Sequence, residues 1–165
     1  MNQDKEVFSA LDKLNIAYEV FEHPAVFGKN SETEDFRNIP AVITKNLFLT
    51  NKKRGKYYLI ITKTIKDVDL KVLKKVLLEP KLRFANSEEL YEHLKLTPGS
   101  VSSMGLINDS GHSVIVVLDQ SLLTASKIGM HPNRNTATIV ISKDDFLSFI
   151  RSTGNKLLEV QVISY

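Results

Sequence analysis

The ten residues Ala41 to Thr50 read Ala-Val-Ile-Thr-Lys-Asn-Leu-Phe-Leu-Thr, two apolar arms around the polar triplet Thr44-Lys45-Asn46. This density of β-branched and aromatic residues suits a strand. Strand side chains alternate between faces, so Ile43, Lys45, Leu47 and Leu49 share one face and Val42, Asn46 and Phe48 the other. One face therefore carries an ammonium in a row of aliphatics, and the other an amide among apolar neighbours. Leaving a buried charge unpaired is costly. Lys45 must snorkel to water from a strand end, or meet a carboxylate, a backbone carbonyl or an anionic ligand.

Composition narrows the classes available. At 165 residues the chain suits one domain, 1–165, with a sizeable core. Hydrophobic residues at 42% and charged residues at 25% are those of a soluble globular protein. The absence of cysteine excludes a disulfide frame, a thiolate metal site and a cysteine nucleophile, and fits a reducing cytosol. The polar opening Met-Asn-Gln-Asp-Lys-Glu starts no signal peptide, and the run Val114 to Leu118 is too short to span a bilayer. A cytoplasmic location is the expectation. Charge is unevenly placed: residues 45–83 carry 12 basic and 3 acidic side chains, against 4 and 8 before them and 6 and 8 after. Such a segment is either a solvated face or a field that attracts polyanions.

Taken in order, Asp4 to Leu14 has the apolar spacing of an amphipathic helix, and Tyr18 to Phe21 is a short strand stopped at His23-Pro24. His23 reads as a turn histidine. Gly28 to Asn38 is an acidic loop with one helical turn near Glu32 to Phe36. The central strand after Pro40, the basic turn Asn51 to Lys56 and a strand from Tyr57 to Lys63 make a β-hairpin. Val68 to Leu78 is a helix with Leu70, Leu73, Val76 and Leu77 on one face, capped by Asp67 or Asp69. Leu82 to Phe84 is a short strand. Asn86 and Glu89 have capping-box spacing before a helix from Ser87 to Leu94, which puts His93 in a structural place in the last turn. Strands follow at Ser113 to Leu118, Ser126 to Met130 and Thr136 to Ser142, then a helix from Lys143 to Thr153 and a closing strand from Leu157 to Ile163.

Few chemistries remain. The histidines at 23, 93, 112 and 131 show no short metal-ligand spacing, so neither metal nor cofactor is expected. No nucleophile elbow, phosphate loop or carboxylate pair stands out. The small-residue loop Thr97 to Gly105 is either a plain turn or a place where backbone N–H groups converge on an oxyanion. His131, beside the turn Pro132 to Asn135, either caps that turn or faces a ligand. Together these residues suit anion recognition and carbonyl polarisation better than nucleophilic attack.

Several ordered segments carry a resemblance: Glu22-His23-Pro24-Ala25-Val26-Phe27, Thr44-Lys45-Asn46-Leu47-Phe48-Leu49, Tyr57-Tyr58-Leu59, Val68-Asp69-Leu70-Lys71, Phe84-Ala85, Thr97-Pro98-Gly99-Ser100-Val101-Ser102, Gly105-Leu106-Ile107-Asn108-Asp109, Val117-Leu118-Asp119, and His131-Pro132-Asn133 with Asn135-Thr136-Ala137-Thr138. In this order, from about residue 5 to 153, the chain resembles the YbaK/ProX-type prolyl-tRNA editing domains, and among them the freestanding alanyl-tRNA(Pro) deacylases. The resemblance implies a mixed α/β fold, with a curved, mostly antiparallel sheet flanked by helices. It implies metal-independent hydrolysis of mischarged aminoacyl-tRNA, with tRNA the partner; of the oligomeric states, which the sequence leaves open, a monomer is favoured. A synthetase pocket shaped for proline cannot strongly exclude smaller alanine, so a second site must remove the error. By the same resemblance Lys45 would hold the aminoacyl end or its phosphate, and Asn46 would orient the aminoacyl group. Gly99 and Ser100 would offer donors to the carbonyl oxygen, and His131 would gauge side-chain size. Thr44, Ser103 and Asn133 would line the substrate. A ribose hydroxyl would activate the water.

Two positions depart from the family pattern. Ser103 stands where a proline is common, and Gly28 where threonine is usual. A domain that binds tRNA or another anion without cleaving it is the competing reading, with a carboxylate-binding sensor behind it.

Overall fold

The computed structural model describes residues 3–25 and 34–162, with the side chains of residues 34 and 35 outside the description. Its helices are α1 (Gln3–Lys13), α2 (Glu34–Arg37), α3 (Leu70–Val76), α4 (Ser87–Leu94) and α5 (Lys143–Ser152). Its strands are β1 (Glu19–Glu22), β2 (Val42–Asn51), β3 (Lys56–Lys63), β4 (Arg83–Phe84), β5 (Val114–Asp119), β6 (Lys127–Met130), β7 (Ala137–Ser142) and β8 (Leu157–Val160). A 3-10 helix, Ser103–Asn108, precedes β5.

The strands form one sheet in the order β1-β7-β6-β2-β3-β5-β8, with β4 added beside β2. Four pairings are antiparallel and three parallel, a mixed α/β sheet with the antiparallel kind in the majority. The hairpin reads as its sequence does: Asn51 faces Lys56, and Gly55 closes the turn in the left-handed region at φ 64°. Capping sets several helix starts. Asp69 accepts from the N–H groups of Lys71 and Val72, and Asn86 and Glu89 form a reciprocal capping box.

Alternation along β2 sorts the core. Val42 and Phe48 face the main cluster with Leu94, Met104, Ile128 and Phe146. Leu47 and Leu49 face a second cluster in which Leu73 of α3 packs on Tyr58, Ile60 and Val117. α3 therefore covers the face that carries Lys45. The helix is shorter than its periodicity suggests, and Val76, expected in its apolar stripe, is 43% exposed. A helix this short buries one turn's worth of stripe, and Leu73 takes that place. Gly105 is where the 3-10 helix passes Leu96; a Cβ there would lie 2.6 Å from Leu96 Cδ1. No described helix is long and apolar enough to cross a membrane.

Candidate active site

β2 is shared along one edge by two neighbours that do not meet. β6 pairs with Val42 and Ile43, and β4 with Leu49 and Thr50. The Phe48 carbonyl accepts from Ala85 N–H, and Thr64 N–H bonds Ile43 O on the β3 side. The even-numbered residues of β2 therefore point their backbone groups away from β3. Asn46 thus turns its N–H and C=O into the opening between β6 and β4. Half-buried Lys45 leaves the face that α3 covers, directly across from Thr62. Thr44 ties β2 to β6 where their ladder stops, its hydroxyl donating to Gly129 O at 2.9 Å. That donor is engaged, and the oxygen lone pairs remain for a ligand.

β6 runs parallel to β2, so the chain leaving Met130 emerges level with the polar triplet. His131, Pro132 and Asn133 form this exit, with Asn133 buried and left-handed at φ 62°. Arg134 holds the turn, bonding Asp4 of α1 at 2.9 Å and Glu22 of β1 at 2.7 Å. His131 Nδ1 lies 2.9 Å from the Ala137 carbonyl. A carbonyl only accepts, so Nδ1 carries the proton and Nε2 presents a lone pair. Burial holds the His131 imidazole below its ordinary pKa; the Ala137 bond opposes this and the neighbouring His23 reinforces it.

His23 is the residue that reading the sequence as a turn overlooked. Its ring stands 6.2 Å from that of His131 and 4.9 Å from that of Phe36. Nδ1 donates to Pro24 O, leaving Nε2 to accept from the Thr138 hydroxyl at 2.9 Å. Adjacent residues of β7 thus orient both imidazoles, Ala137 by its carbonyl and Thr138 by its hydroxyl. The sequence carries two hints, the proline that fixes the chain on one side of the ring and the place of His23 in the segment Glu22 to Phe27 that carries the family resemblance.

The loop from Thr97 to Ser103 reaches the same place, for Ser102 Oγ donates to His131 O at 2.5 Å. Gly99 has φ 88°, which requires glycine. Ser100 N–H closes the turn on Thr97 O, whereas the N–H groups of Gly99, Val101 and Ser103 have no acceptor among the described residues. Ser103 opens the 3-10 helix, a position that suits the proline of the family pattern. Ser102 fixes that start instead: its hydroxyl accepts from Met104 N–H and its carbonyl from Gly105 N–H. Gly28 lies outside the described residues.

Among the described residues five buried side-chain polar atoms lack a hydrogen-bond partner. Four of them are Asn46 Oδ1, Ser103 Oγ, and Asn133 Oδ1 and Nδ2. Each such atom costs about 1–3 kcal/mol. That cost falls on three residues of three segments gathered around one opening. Such a cluster can hold a polar ligand on several directed bonds, next to the exit that carries the neutral His131, while Lys45 leaves the neighbouring position on the opposite face of β2.

Comparison with known proteins places the chain in a family. The model of the aminoacyl-tRNA editing domain matches residues 29–149. The chain is 35% identical to the prolyl-tRNA editing protein ProX of Acetoanaerobium sticklandii over 163 residues, covering 98% of this chain and 99% of that one. The chain belongs to the aminoacyl-tRNA editing domain family. It is an aminoacyl-tRNA deacylase, a hydrolase of the ester between amino acid and tRNA. The chain is also 35% identical to prolyl-tRNA synthetase associated domain-containing protein 1 of Danio rerio over 151 residues, covering 90% of this chain and 82% of that one. A crystal structure described as a candidate trans-editing enzyme for prolyl tRNA synthetase superposes with a TM-score of 0.73 at 20% identity, covering 98% of each chain, which establishes the shared fold.

Other carboxylates of this editing domain do their work in the frame. Asp119, Asp109 and Glu79 are all buried. Asp119 binds Thr62 and Lys66, Asp109 binds Asn155, Ser113 and Val114 N–H, and Glu79 gathers Asn51, Tyr58, Arg54 and Lys56. Among the described residues no group of three or more histidine, aspartate or glutamate side chains could hold a metal ion.

Proposed function

We propose that the whole chain, 1–165, is a single trans-editing domain that removes alanine from mischarged tRNA(Pro). The observation that carries this reading is the set of unpartnered buried atoms on Asn46, Ser103 and Asn133, around the strand that bears Lys45. An aminoacyl ester on a terminal ribose offers the groups these atoms lack: a cationic amine and ribose hydroxyls to donate, and oxygens to accept.

Lys45 holds the aminoacyl end or the adjoining phosphate, and Asn46 and Asn133 orient the aminoacyl group. The N–H groups flanking Ser100, from Gly99 to Ser103, stabilise the carbonyl oxygen as it gains charge. A hydroxyl of the terminal ribose takes a proton from water as the water oxygen bonds to the ester carbon. Collapse of the tetrahedral intermediate breaks the carbon–oxygen bond to the ribose, and the proton passes to the leaving ribose oxygen. His131, neutral and fixed by Ala137, walls the space for the amino-acid side chain. A rigid wall is what a sieve for size needs, because one or two methylenes separate the right substrate from the wrong one.

The test is a deacylation panel with alanyl-, seryl- and prolyl-tRNA(Pro). Rapid loss of alanine with prolyl-tRNA(Pro) intact is the expected result. Equal hydrolysis of all three would overturn the specificity, and saturable binding without hydrolysis would overturn the reaction.

A further inference from the structure

We infer that α3 and the β2–β3 turn form a docking surface for the phosphate backbone of the acceptor duplex of tRNA, an inference that rests on the deacylase reading of the Lys45 site. Folding brings two parts of the basic segment together around one carboxylate. Buried Glu79 holds Arg54 at 3.1 Å and Lys56 at 3.5 Å from the turn, and Arg54 also reaches the Leu78 carbonyl at the end of α3. Lys71, Lys74 and Lys75 line a shallow groove with Leu78, Glu79 and Pro80. Lys52 and Lys53 project from the same turn.

Among the described residues Lys52, Lys53, Lys71, Lys74 and Lys75 form no salt bridge. Helix energetics account for Lys74 and Lys75, which sit in the last turn of α3, but not for Lys71 in the first turn, where a cation opposes the helix dipole. Concentrated like charge also repels itself. A polyanion on this surface reverses both costs.

The geometry selects the partner. α3 covers the sheet face from which Lys45 emerges, and β2 runs from Lys45 to Asn51 at the turn. At about 3.4 Å per residue that path is about 20 Å. An aminoacyl end held at Lys45 has its unpaired 3′ nucleotides along this path and its duplex at the turn and α3. A surface whose cationic groups are lysines on flexible stems suits backbone recognition, which is indifferent to sequence.

The test compares the wild-type chain with the triple variant Lys71→Gln/Lys74→Gln/Lys75→Gln, and with Lys156→Gln as a control elsewhere on the surface. Binding of uncharged tRNA, an acceptor-stem RNA hairpin and a short single-stranded 3′-end oligonucleotide is followed by fluorescence anisotropy between 50 and 200 mM salt. Three lost duplex contacts lower the salt slope by about 2.7, so wild-type affinity falls about 40-fold further than the variant's across that range. Binding of the short single strand stays unchanged, as does deacylation of the same strand when aminoacylated. Lys52→Gln/Lys53→Gln gives a smaller slope change in the same direction. An unchanged slope for tRNA and hairpin, or equal losses on duplex and single strand, would overturn the inference. If the wild type cleaves neither charged substrate yet shows the slope difference, the deacylase reading fails while the docking surface stands.

Discussion

Replacing Asp119 by alanine tests the frame behind Lys45. The carboxylate is fully buried at the end of β5 and takes Thr62 Oγ1 at 2.6 Å, Lys66 Nζ at 2.8 Å, Ser121 Oγ at 2.8 Å and Ser121 N–H at 3.0 Å. Thr62 is the residue directly across from Lys45. Breaking a buried ion pair costs about 3–5 kcal/mol. The Lys66 side chain is 20% exposed and recovers some hydration, which favours the low end. The orphaned Thr62 hydroxyl adds about 1 kcal/mol. The expected loss is about 3–4 kcal/mol, read by urea unfolding, with a fall in Tm of about 10 °C for a chain of this size. Asp119→Asn keeps the volume and part of the bonding, and should cost less than half as much. The sign with pH follows from the same contacts. Burial pushes the Asp119 carboxyl up, but Lys66, Thr62 and Ser121 outweigh it and hold the pKa below the ordinary value. The unfolded chain therefore binds the proton more readily, and the contribution present above about pH 4 is lost as pH falls further. In Asp119→Asn that portion of the acid-induced loss should vanish. A cost below about 1 kcal/mol for the alanine variant would refute the view that this buried pair is a net stabiliser of the site's frame.

His131 titrates below its ordinary value, so deacylation should persist through the ordinary histidine range and be lost only at more acid pH, and His23→Ala should move that acid limb upward by removing a repulsive neighbour. The unfolded chain takes up this proton first, so acidification from pH 7 to 5 should also reduce stability, a loss that His131→Ala removes. Thr44→Val deletes the bond to Gly129 O and should cost about 1 kcal/mol in urea unfolding, with a larger proportional loss in kcat because the polar triplet is no longer tied to the His131 exit. Glu79→Ala leaves Tyr58 OH and Asn51 Nδ2 buried without their acceptor and should cost about 3–5 kcal/mol, measured the same way.

Local signals in the sequence were strong wherever neighbours decide structure. The Asn86 to Glu89 spacing marks the start of α4, and alternation in β2 separates the two cores as the sheet does. Distant pairing was not legible. β3 joins β5 in parallel across the span that holds α3, β4 and α4, and no local pattern announces that. The buried carboxylates were hidden for the same reason: in sequence Asp119 and Glu79 look like loop and cap residues, while their partners Thr62 and Tyr58 lie 57 and 21 residues away. His23 meets Thr138 across 115 residues, so its place beside His131 needs the pairing of β1 with β7. The site residues named by family resemblance come from three separate segments, and only the fold makes Asn46, Ser103 and Asn133 a cluster of unpartnered buried atoms.

The proposed role of Lys45 is to hold the acylated end of tRNA(Pro) for hydrolysis. Single-turnover release of alanine from alanyl-tRNA(Pro) by Lys45→Ala, with its fold verified by an unchanged unfolding midpoint, tests it most directly. The expected rate is lower by about 10²-fold or more. A rate equal to that of the wild-type chain would contradict it.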